Sequence, residues 1–370
     1  MSLEIRAAVQ REIGASPVIE SVVIDEPREG EIRVAIKAVG ICHTDMVMRD
    51  GHLPIPQPVV LGHEGSGVVE KVGPGVIGLV PGDHVVLSFD SCGDCPSCDV
   101  DAPAYCHNWF PLNFGAARGD GSMALSAVDG TPVHSHVFGQ SSFATHAIVH
   151  ERNAVKVSRD LPLELLGPLG CGIQTGAGTI LNVLRPRPGD SVAVIGAGAV
   201  GLSAIMATKI ASAGTIVALD LNEVRVDLAL GLGATHGFKA GQKSITDYAA
   251  AAGLGAGFDF IIDTTGLPAV CNEAIAGLAP RGVLALVGAY PPGLNIEADA
   301  SFMMSGGRAV RGIVEGGSDP QTFIPELLAH YQAGRFPFDK LVRYFSFEDI
   351  ADAIAEGESG RVVKPIVRMS

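Results

Sequence analysis

The chain has 370 residues, 47% of them hydrophobic and 18% charged, and its formal net charge is −14. This length is too great for one ordinary hydrophobic core, so we expect two domains. The acidic balance argues against a nucleic-acid-binding protein, because a phosphate backbone would repel it.

The amino-terminal segment and one uncharged run bear on where the protein resides. Residues 1–6 are charged and contain no apolar stretch ahead of a small-residue cleavage site, so no secretory signal is predicted. The uncharged run 191–208 has the length of a membrane span, but Gly196, Gly198 and Gly201 interrupt it. A strand, a turn and a buried helix account for it better. We therefore expect a soluble, cytoplasmic protein.

The first part of the chain is predicted to be rich in β-strands. Apolar side chains alternate with more polar ones from Ile32 to Ala38, which is typical of a half-buried strand. Short β-branched runs follow at 67–72, 84–87 and 147–149, and proline and glycine separate them. The candidate metal ligands fall in the loops between these strands.

Four closely spaced cysteines form a metal-binding pattern. They are Cys92, Cys95, Cys98 and Cys106, in C-x2-C-x2-C-x7-C spacing. Four thiolates can enclose a tetrahedral zinc ion with a structural role. A pair of disulfides is one alternative, but thiols stay reduced in the cytoplasm, and an iron–sulfur cluster is another. We predict a structural zinc in a lobe at about residues 90–110.

Two further cysteines and one histidine predict a second, reactive zinc. Cys42 and Cys171 lie far apart in the sequence, and the segment Gly62-His63-Glu64 lies between them. Two thiolates and one imidazole leave a fourth coordination position open, as a catalytic zinc requires. Taken singly, each cysteine is also explained as a buried thiol, which is our interpretation of Cys271.

Near residue 173 the pattern changes to an alternation of helices and strands. A helix with apolar positions from Ile173 to Leu184 is predicted to end before Pro186. Strands are then predicted at 191–195, 215–220, 258–263, 283–287 and 309–314. This alternation predicts right-handed βαβ units and a parallel sheet with helices on both faces. A helix at 323–331 and a strand at 361–368 follow, and the strand is expected to return to the first lobe.

The strand at 191–195 leads into a dinucleotide-binding motif. The motif Gly196-Ala-Gly198-Ala-Val200-Gly201 opens a helix, which is the context that it requires. Its three glycines permit a tight turn, close approach of a pyrophosphate, and close packing of helix and strand. The N–H groups at the helix start would bind the phosphates. A nicotinamide dinucleotide is predicted, with a flavin dinucleotide as the main competitor.

The end of the next strand indicates which nicotinamide cofactor is used. Asp220 ends this strand, about 20 residues after the glycine motif. Its carboxylate can accept both hydroxyls of the adenosine ribose and would repel a 2′-phosphate, which favours NAD over NADP. Arg225 is a candidate second ribose contact, and is otherwise a solvated helix residue.

Together the two sites predict an alcohol-oxidising enzyme. A zinc with an open position can bind an alcohol oxygen and lower its pKa, and the resulting alkoxide donates a hydride to an oxidised nicotinamide. The substrate is expected in the cleft between the two lobes. A non-catalytic dinucleotide-binding protein, structural or redox-sensing, is the alternative from another class, but it would not need an open zinc site.

These motifs carry a family resemblance. The segment 62–76 fits the pattern G-H-E-x2-G-x5-G-x2-V, and the four-cysteine lobe, the segment 170–176 and the glycine motif follow in the family's order. The chain resembles the zinc-dependent alcohol dehydrogenases of the medium-chain dehydrogenase/reductase superfamily over essentially its full length. The resemblance implies an α/β fold with two parts. These are a discontinuous, β-rich GroES-like catalytic domain at 1–172 and 315–370, and a doubly wound, parallel-sheet Rossmann domain that binds NAD at 173–314.

The resemblance implies roles for the residues around the reactive zinc. Cys42, His63 and Cys171 would bind this zinc, and Asp45 would orient the histidine through a hydrogen bond. Glu64 would lie behind the metal and serve as a transient ligand, or would be a salt-bridged carboxylate. Two zinc ions per subunit are therefore expected.

The resemblance also assigns residues to the substrate and the cofactor. Thr44 would bond the substrate oxygen and pass its proton on, and His43 and Arg361 would contact the cofactor pyrophosphate. The full set of predicted cofactor contacts is His43, Gly196, Gly198, Val200, Gly201, Asp220, Arg225 and Arg361.

One position departs from the family pattern. Many members have a histidine five positions after the first zinc-binding cysteine, where it ends the proton relay to solvent, and this chain has Val47. A valine carries no proton, so the relay must stop at the ribose, leave through water, or use His43 or His52. We favour His43, because it adjoins Thr44.

Within the family the chain most resembles bacterial aryl-alcohol (benzyl alcohol) dehydrogenases. The supporting segments are 41–45, 139–145 and 166–178. Phe143 aligns with a pocket residue that can stack on an aromatic ring, or is plain core packing, and Trp109 and Phe110 are further pocket candidates. We expect reversible, NAD-dependent oxidation of primary aromatic or allylic alcohols to aldehydes.

Several alternatives remain for the substrate and the assembly. An apolar pocket discriminates weakly among alcohols of similar size, so geraniol-type terpenoid alcohols are an alternative. A thiol-dependent formaldehyde dehydrogenase is another, although its anionic adduct calls for a basic pocket mouth that the sequence does not reveal. A polyol dehydrogenase is disfavoured by Cys171, because such enzymes commonly have a carboxylate as one zinc ligand. A homodimer or homotetramer is expected, with the strand 309–314 as a candidate edge for joining subunits.

Overall fold

The structure is a computed structural model that describes residues 2–290 and 293–369. Met1 and Ser370, which end the predicted catalytic domain, lie outside the described residues. Within these ranges the strands are β1 (Leu3–Gln10), β2 (Val18–Ile24), β3 (Glu31–Gly40), β4 (Val59–Val60), β5 (Gly65–Val72), β6 (His84–Leu87), β7 (Leu125–Ala127), β8 (Pro132–Val133), β9 (His146–His150), β10 (Ala154–Val157), β11 (Ser191–Ile195), β12 (Thr215–Asp220), β13 (His236–Lys239), β14 (Phe258–Asp263), β15 (Leu278–Leu286), β16 (Ala309–Gly312), β17 (Val342–Ser346) and β18 (Lys364–Arg368). The α-helices are α1 (His43–Arg49), α2 (Trp109–Phe114), α3 (Leu163–Leu166), α4 (Gly172–Gly178), α5 (Ala199–Ile210), α6 (Glu223–Leu232), α7 (Ile245–Ala251), α8 (Pro268–Ala276), α9 (Ala300–Gly306), α10 (Pro320–Gln332) and α11 (Ile350–Glu358).

The first compact unit contains the described residues of Met1–Gly172, Asp319–Glu326 and Asp339–Ser370. Among its described residues, five strands form one sheet in the order β4-β1-β2-β7-β8. Seven strands form a second sheet along the path β10-β6-β5-β3-β18-β17, with β9 paired to β3. The predicted carboxy-terminal strand does return to this lobe, because β18 pairs antiparallel with β3 and Val367 lies opposite Val39. The first unit is therefore β-rich and discontinuous in sequence.

Alternating apolar residues build part of the core of this unit. In β3, Ile32, Val34 and Ile36 are at most 4% exposed. They pack in one cluster with Val85 and Leu87 of β6. Full burial of a side chain of this size contributes about 1.5–3 kcal/mol of hydrophobic free energy, so this alternation is sufficient to orient the strand.

The second compact unit contains Ile173–Ser318 and Leu327–Phe338. Its described strands form a six-stranded parallel sheet in the order β13-β12-β11-β14-β15-β16. The strand order reverses between β11 and β14, and this switch point is where doubly wound sheets bind dinucleotides. The edge that we expect to join subunits, β16, lies at one end of this order, and the oligomeric state stays a prediction.

The predicted strands of this sheet are confirmed with small differences in their ends. The strand predicted at 283–287 begins earlier in the structure, at Leu278. The prediction missed residues 278–282 because Pro280 and Gly282 are typical of a turn. The strand predicted at 309–314 ends at Gly312. The short strand β13 is not predicted, because none of its four residues is buried and the sequence shows no apolar run there.

The compact units divide the chain slightly differently from the predicted domains. Residues 315–318 and Leu327–Phe338 cluster with the second unit. Glu315 accepts hydrogen bonds from Gln174 and Thr175, which explains why this segment belongs there. The functional domain boundaries after residues 172 and 314 stay a prediction.

No helix within the described ranges is long and apolar enough to cross a membrane. The uncharged run 191–208 forms β11, a glycine turn and the first part of α5, as predicted. The cytoplasmic location stays a prediction.

Candidate active site and metal centres

Four potential metal ligands meet in the first unit. One ligand atom each from Cys42, His63, Glu64 and Cys171 lies within 4.8 Å of the others. Cys42 caps the amino terminus of α1, His63 and Glu64 lie between β4 and β5, and Cys171 immediately precedes α4. His63 and Glu64 are fully buried, and Cys171 is 7% exposed. Segments that are far apart in sequence thus form one buried cluster, which we call the reactive cluster.

Asp45 fixes the orientation of His63. Its Oδ1 atom accepts hydrogen bonds from His63 Nδ1 at 2.8 Å and from the Gly62 N–H at 3.1 Å, and its Oδ2 atom accepts the Cys42 N–H at 3.1 Å. The carboxylate selects the tautomer that carries a proton on Nδ1. The opposite ring nitrogen, Nε2, is buried and has no hydrogen-bond partner among the described residues. A buried imidazole nitrogen of this kind, beside two thiols, fits a zinc ion.

The charges of the reactive cluster favour a deprotonated thiol. A hydrogen bond from the Cys171 thiol, together with the charges of His63 and Lys364, outweighs burial and holds the pKa of Cys42 well below its usual value. Burial disfavours a charged His63 ring, but Asp45 and Cys42 outweigh burial and raise its pKa. Because the thiolate is the form of cysteine that binds metal, this environment suits a metal site.

Lys364 completes the cluster and is a residue that sequence analysis missed. Its Nζ atom donates to Glu64 Oε1 at 2.8 Å, to Glu64 Oε2 at 2.9 Å and to the Ile41 carbonyl at 3.1 Å. The Gly172 N–H also donates to Glu64 Oε1, at 3.2 Å. Lys364 is 3% exposed, so Glu64 is here a buried, salt-bridged carboxylate. A lysine next to the apolar run 365–367 is the sequence signal that could have revealed this pair.

The four-cysteine loop forms a second potential metal centre. The ligand atoms of Cys92, Cys95, Cys98 and Cys106 lie within 4.8 Å of one another, and neighbouring Sγ atoms are 3.4–4.0 Å apart. A tetrahedral zinc with Zn–S bonds of about 2.3 Å would separate its sulfur ligands by about 3.8 Å. All cysteines in the described part of the chain are free, so the loop contains no disulfide there. The spacing therefore fits zinc.

Backbone N–H groups in this loop stabilise a thiolate. The N–H groups of His107 and Cys98 lower the pKa of the Cys95 thiol to about 6. The His107 nitrogen lies 3.4 Å from Cys95 Sγ, and the Asn108 N–H donates to Cys106 Sγ at 3.4 Å. Cys95 is thus readily deprotonated, and the deprotonated thiol is the form that binds zinc, whereas burial raises the pKa of Cys92 and Cys98 in the absence of metal.

In the second unit the glycine motif joins β11 to α5, as predicted. Gly196 has a φ of 94°, a conformation that glycine adopts without steric penalty. A Cβ atom on Gly201 would lie 1.8 Å from the Gly196 carbonyl oxygen, so only glycine fits there. A Cβ atom on Gly198 would meet nothing within 4 Å, which leaves open space at the helix start. This geometry suits a pyrophosphate at the amino terminus of α5.

Asp220 lies at the carboxyl end of β12 and supports the glycine turn. Its Oδ2 atom accepts the Ala197 N–H at 2.6 Å, and its Oδ1 atom accepts the Asn222 N–H at 2.8 Å. The side chain is half-buried, so it also remains accessible to a ribose hydroxyl. Arg225 is half-buried on α6, one turn further along the chain.

Comparison with known proteins identifies the family. Residues 28–159 match the alcohol dehydrogenase GroES-like domain, and residues 199–331 match the zinc-binding dehydrogenase family. A geraniol dehydrogenase from Castellaniella defragrans is 47% identical over 363 residues, which cover 98% of this chain and 97% of that protein. The chain belongs to the zinc-dependent medium-chain alcohol dehydrogenases.

Two solved structures resemble this alcohol dehydrogenase over the full length of both chains. An alcohol dehydrogenase zinc-binding domain protein from Burkholderia ambifaria is 49% identical, with a TM-score of 0.98 and 100% of each chain covered. A benzyl alcohol dehydrogenase from Acinetobacter calcoaceticus is 42% identical, with a TM-score of 0.95 and the same coverage. The predicted fold class, a Rossmann domain with a GroES-like catalytic domain, is confirmed.

Helix α1 carries the residues that we expect this alcohol dehydrogenase to use for proton transfer. Thr44 is half-buried, and its Oγ1 atom lies 3.8 Å from Cys42 Sγ. His43 and His52 are exposed, and Val47 is half-buried. The structure brings Thr44 next to the reactive cluster, whereas the roles of Thr44 and His43 stay predictions.

The residues predicted to contact substrate or pyrophosphate differ in their surroundings. Phe143 is 1% exposed and packs against Gly62, where a Cβ atom would lie 2.5 Å from its ring. Trp109 is half-buried, whereas Phe110 is 56% exposed. Arg361 is exposed and forms an ion pair with a carboxylate of α11 at 2.8 Å. The ligand contacts of these residues stay predictions.

Proposed function

We propose that this alcohol dehydrogenase catalyses the reversible, NAD-dependent oxidation of primary aromatic or allylic alcohols to aldehydes. The observation that carries the proposal is the meeting of Cys42, His63 and Cys171 around a buried imidazole nitrogen that has no hydrogen-bond partner in the described part of the chain. Three such donors leave a fourth metal position for substrate. Similarity to a geraniol dehydrogenase and a benzyl alcohol dehydrogenase supports the substrate class, since geraniol and benzyl alcohol are both primary alcohols beside an unsaturated carbon.

In this proposal Cys42, His63 and Cys171 hold the reactive zinc, and the four clustered cysteines hold a structural zinc. Bound zinc supplies a Lewis acid for the alcohol oxygen and bound NAD supplies the hydride acceptor, so that alcohol and NAD⁺ become aldehyde, NADH and a proton. Asp45 keeps the proton of His63 on Nδ1 and so leaves Nε2 available to the metal.

The proton of the substrate hydroxyl needs a path to solvent. We assign Thr44 to accept it, because its half-buried hydroxyl adjoins the reactive cluster. His43 is the next group along this path, since it is exposed, follows Cys42 directly and has an imidazole that can carry a proton. Val47 cannot take part, because a valine carries no proton.

The preference for NAD is assigned to Asp220. Its carboxylate can accept ribose hydroxyls and would repel the 2′-phosphate of NADP. The open space at Gly198 supports binding of the pyrophosphate at the start of α5. Arg225 and Arg361 are proposed as further cofactor contacts.

A terpenoid alcohol dehydrogenase is the second candidate. It is favoured by the 47% identity to the geraniol dehydrogenase, which covers 98% of this chain. Geraniol is itself an allylic primary alcohol, so this candidate differs from the first only in the preferred hydrocarbon and not in the reacting group.

Steady-state reduction of NAD with benzyl alcohol, geraniol, ethanol and S-hydroxymethylglutathione tests the proposal, together with metal content per chain. We expect two zinc ions, and values of kcat/KM for benzyl alcohol or geraniol at least about 10-fold above that for ethanol, because an apolar pocket gains from the larger hydrocarbon. A clear preference for geraniol would select the second candidate. A preference for the thiol adduct, or no turnover of any of these alcohols, would overturn the proposal.

A further inference from the structure

A turn beside the reactive cluster has a backbone conformation that sequence patterns do not predict. His136, Phe138 and Ser141 have positive φ angles of 67°, 51° and 53°. Residues other than glycine avoid this left-handed region, so they adopt this conformation only where surrounding contacts stabilise it. Backbone strain of this kind is concentrated at functional sites, which makes this turn a candidate for a functional role.

The turn is tied to the backbone on both sides of His63. Gln140 is 2% exposed, and its Nε2 atom donates to the His63 carbonyl at 2.9 Å while its Oε1 atom accepts the Gly65 N–H at 3.1 Å. The Ser141 hydroxyl donates to the Val60 carbonyl at 2.6 Å. The segment that carries His63 and the strained turn therefore form one hydrogen-bonded unit.

Phe138 lies within this turn and covers one face of the His63 imidazole. The two ring centroids are 4.4 Å apart and the ring planes are inclined by 21°, which is a stacked arrangement. Asp45 restrains the imidazole within its plane through the hydrogen bond to Nδ1. The stacked ring restrains the rotation that tilts the imidazole out of that plane. The two contacts thus restrain different rotations of one side chain.

Other aromatic rings hold Phe138 in place. Phe114 packs against it edge to face with ring centroids 5.1 Å apart, and Trp109 does so at 6.2 Å. Both residues belong to α2, which follows the four-cysteine loop in the chain. Phe138 itself is 4% exposed, so its ring has little freedom to move away from His63.

We propose that Phe138 is a positioning residue for the reactive metal, whose ring sets the plane of the His63 imidazole so that Nε2 stays aligned with the thiols of Cys42 and Cys171. This role depends on the proposed function, because it requires His63 to bind metal. Phe138 acts through His63, so loss of the ring should weaken metal binding at the reactive cluster and leave the four-cysteine site unaffected.

Phe138→Leu and Phe114→Leu provide a matched comparison in the full-length, zinc-containing protein. Each removes one ring from the same aromatic group, but of these two rings only Phe138 stacks on His63. The affinity of both zinc ions is measured by competition with a chromophoric chelator, which requires no turnover. We expect Phe138→Leu to weaken the reactive-site zinc about 10-fold or more, as loss of groups that orient a ligand does. We also expect it to shift the visible absorption bands of cobalt substituted at that site.

Phe114→Leu should change the affinity and the cobalt spectrum less than Phe138→Leu does, because Phe114 supports the Phe138 ring without stacking on His63. Unaltered zinc affinity in Phe138→Leu, or equal weakening in the two variants, would overturn the proposal and leave Phe138 as core packing. If Phe138→Leu does not fold, Phe138→Met supplies the same comparison, because a flexible methionine fills the volume without a ring. A protein that binds only one zinc per chain would overturn the proposed function instead.

Discussion

Lys364 and Glu64 form an ion pair whose side chains are 3% and 0% exposed. Burial raises the pKa of Glu64, although the charge of Lys364 acts in the opposite direction. The carboxylate packs closely against Gly40, where an added Cβ atom would lie 2.1 Å from Glu64 Oε2. Lys364 is therefore the group that balances this buried charge, and it limits how readily Glu64 can serve as a metal ligand.

Replacing Lys364 tests whether it compensates the buried charge of Glu64. We expect Lys364→Met to lower the free energy of unfolding by about 3 kcal/mol or more, because it leaves a buried carboxylate uncompensated. Arg6→Met is the matched control, since the Arg6–Glu348 pair is 50% and 59% exposed and solvent screens it, so its loss should have little effect. Urea unfolding of the zinc-containing protein measures both. Adding Glu64→Gln should restore part of the loss, and no restoration would mean that Lys364 acts through packing and not through charge.

His136 should make the free energy of unfolding depend on pH. It is 8% exposed, and burial together with the charge of Arg118 lowers its pKa from 6.5 to about 4. Between these values the unfolded chain binds more protons than the folded chain. The contribution of His136 to the free energy of unfolding is therefore fully present above pH 6.5. It decreases by about 3 kcal/mol as the pH falls toward 4.

His136→Asn should remove this part of the acid sensitivity. Asparagine tolerates the left-handed backbone at this position, where φ is 67°, and it does not titrate. Thermal unfolding of both proteins between neutral pH and pH 4 provides the measurement. Parallel loss of stability in the variant and the original protein would contradict the assignment.

At the scale of secondary-structure elements, Gly201 determines how closely α5 approaches the glycine turn. A Cβ atom there would lie 1.8 Å from a backbone oxygen and 3.1 Å from Val194 Cγ1, so the helix start would have to shift. We expect Gly201→Ala to destabilise the protein by about 1–3 kcal/mol through overpacking and to weaken NADH binding. Gly231→Ala in α6 is the control, because its Cβ atom would meet nothing within 4 Å, and alanine should stabilise a helix there by up to about 1 kcal/mol.

Urea unfolding and titration of NADH fluorescence measure the two glycine variants. If Gly201→Ala binds NADH as tightly as the original protein, the start of α5 is not the pyrophosphate site. A similar effect of both substitutions would mean that helix propensity, and not the close contact at Gly201, explains the result.

At the scale of the whole molecule, the cysteines separate into two groups of potential metal ligands and Cys271. Cys271 is fully buried, as predicted, and its Sγ atom lies 3.1 Å from the Tyr290 hydroxyl. We expect Cys98→Ser to reduce the metal content from two zinc ions to one and to lower the melting temperature, because metal binding to a folded loop adds to folding free energy. Cys271→Ser should retain two zinc ions. Elemental analysis measures the zinc content of both variants, and thermal unfolding measures their melting temperatures. Two zinc ions in Cys98→Ser would contradict a structural zinc in the loop.

The sequence by itself determined the features that depend on near neighbours in the chain. Apolar runs bounded by glycine predicted β11, β12 and β14, because burial of successive side chains is visible in a short window. The spacing of the four cysteines and the glycine motif are equally local, and they predicted two groupings that the structure brings together. Cys42 and Cys171 were assigned to one zinc by their combination with His63 and by the family resemblance, since each alone is indistinguishable from a buried thiol.

The tertiary structure decided which distant side chains surround these residues. Lys364 is 300 positions from Glu64, and no periodicity relates them. The stacking of Phe138 on His63 requires a left-handed turn of non-glycine residues, which local propensity disfavours. Such contacts form because packing of the complete fold outweighs local preference, so the ligands of the candidate site and Asp45 were predictable, while Phe138 and Lys364 were not.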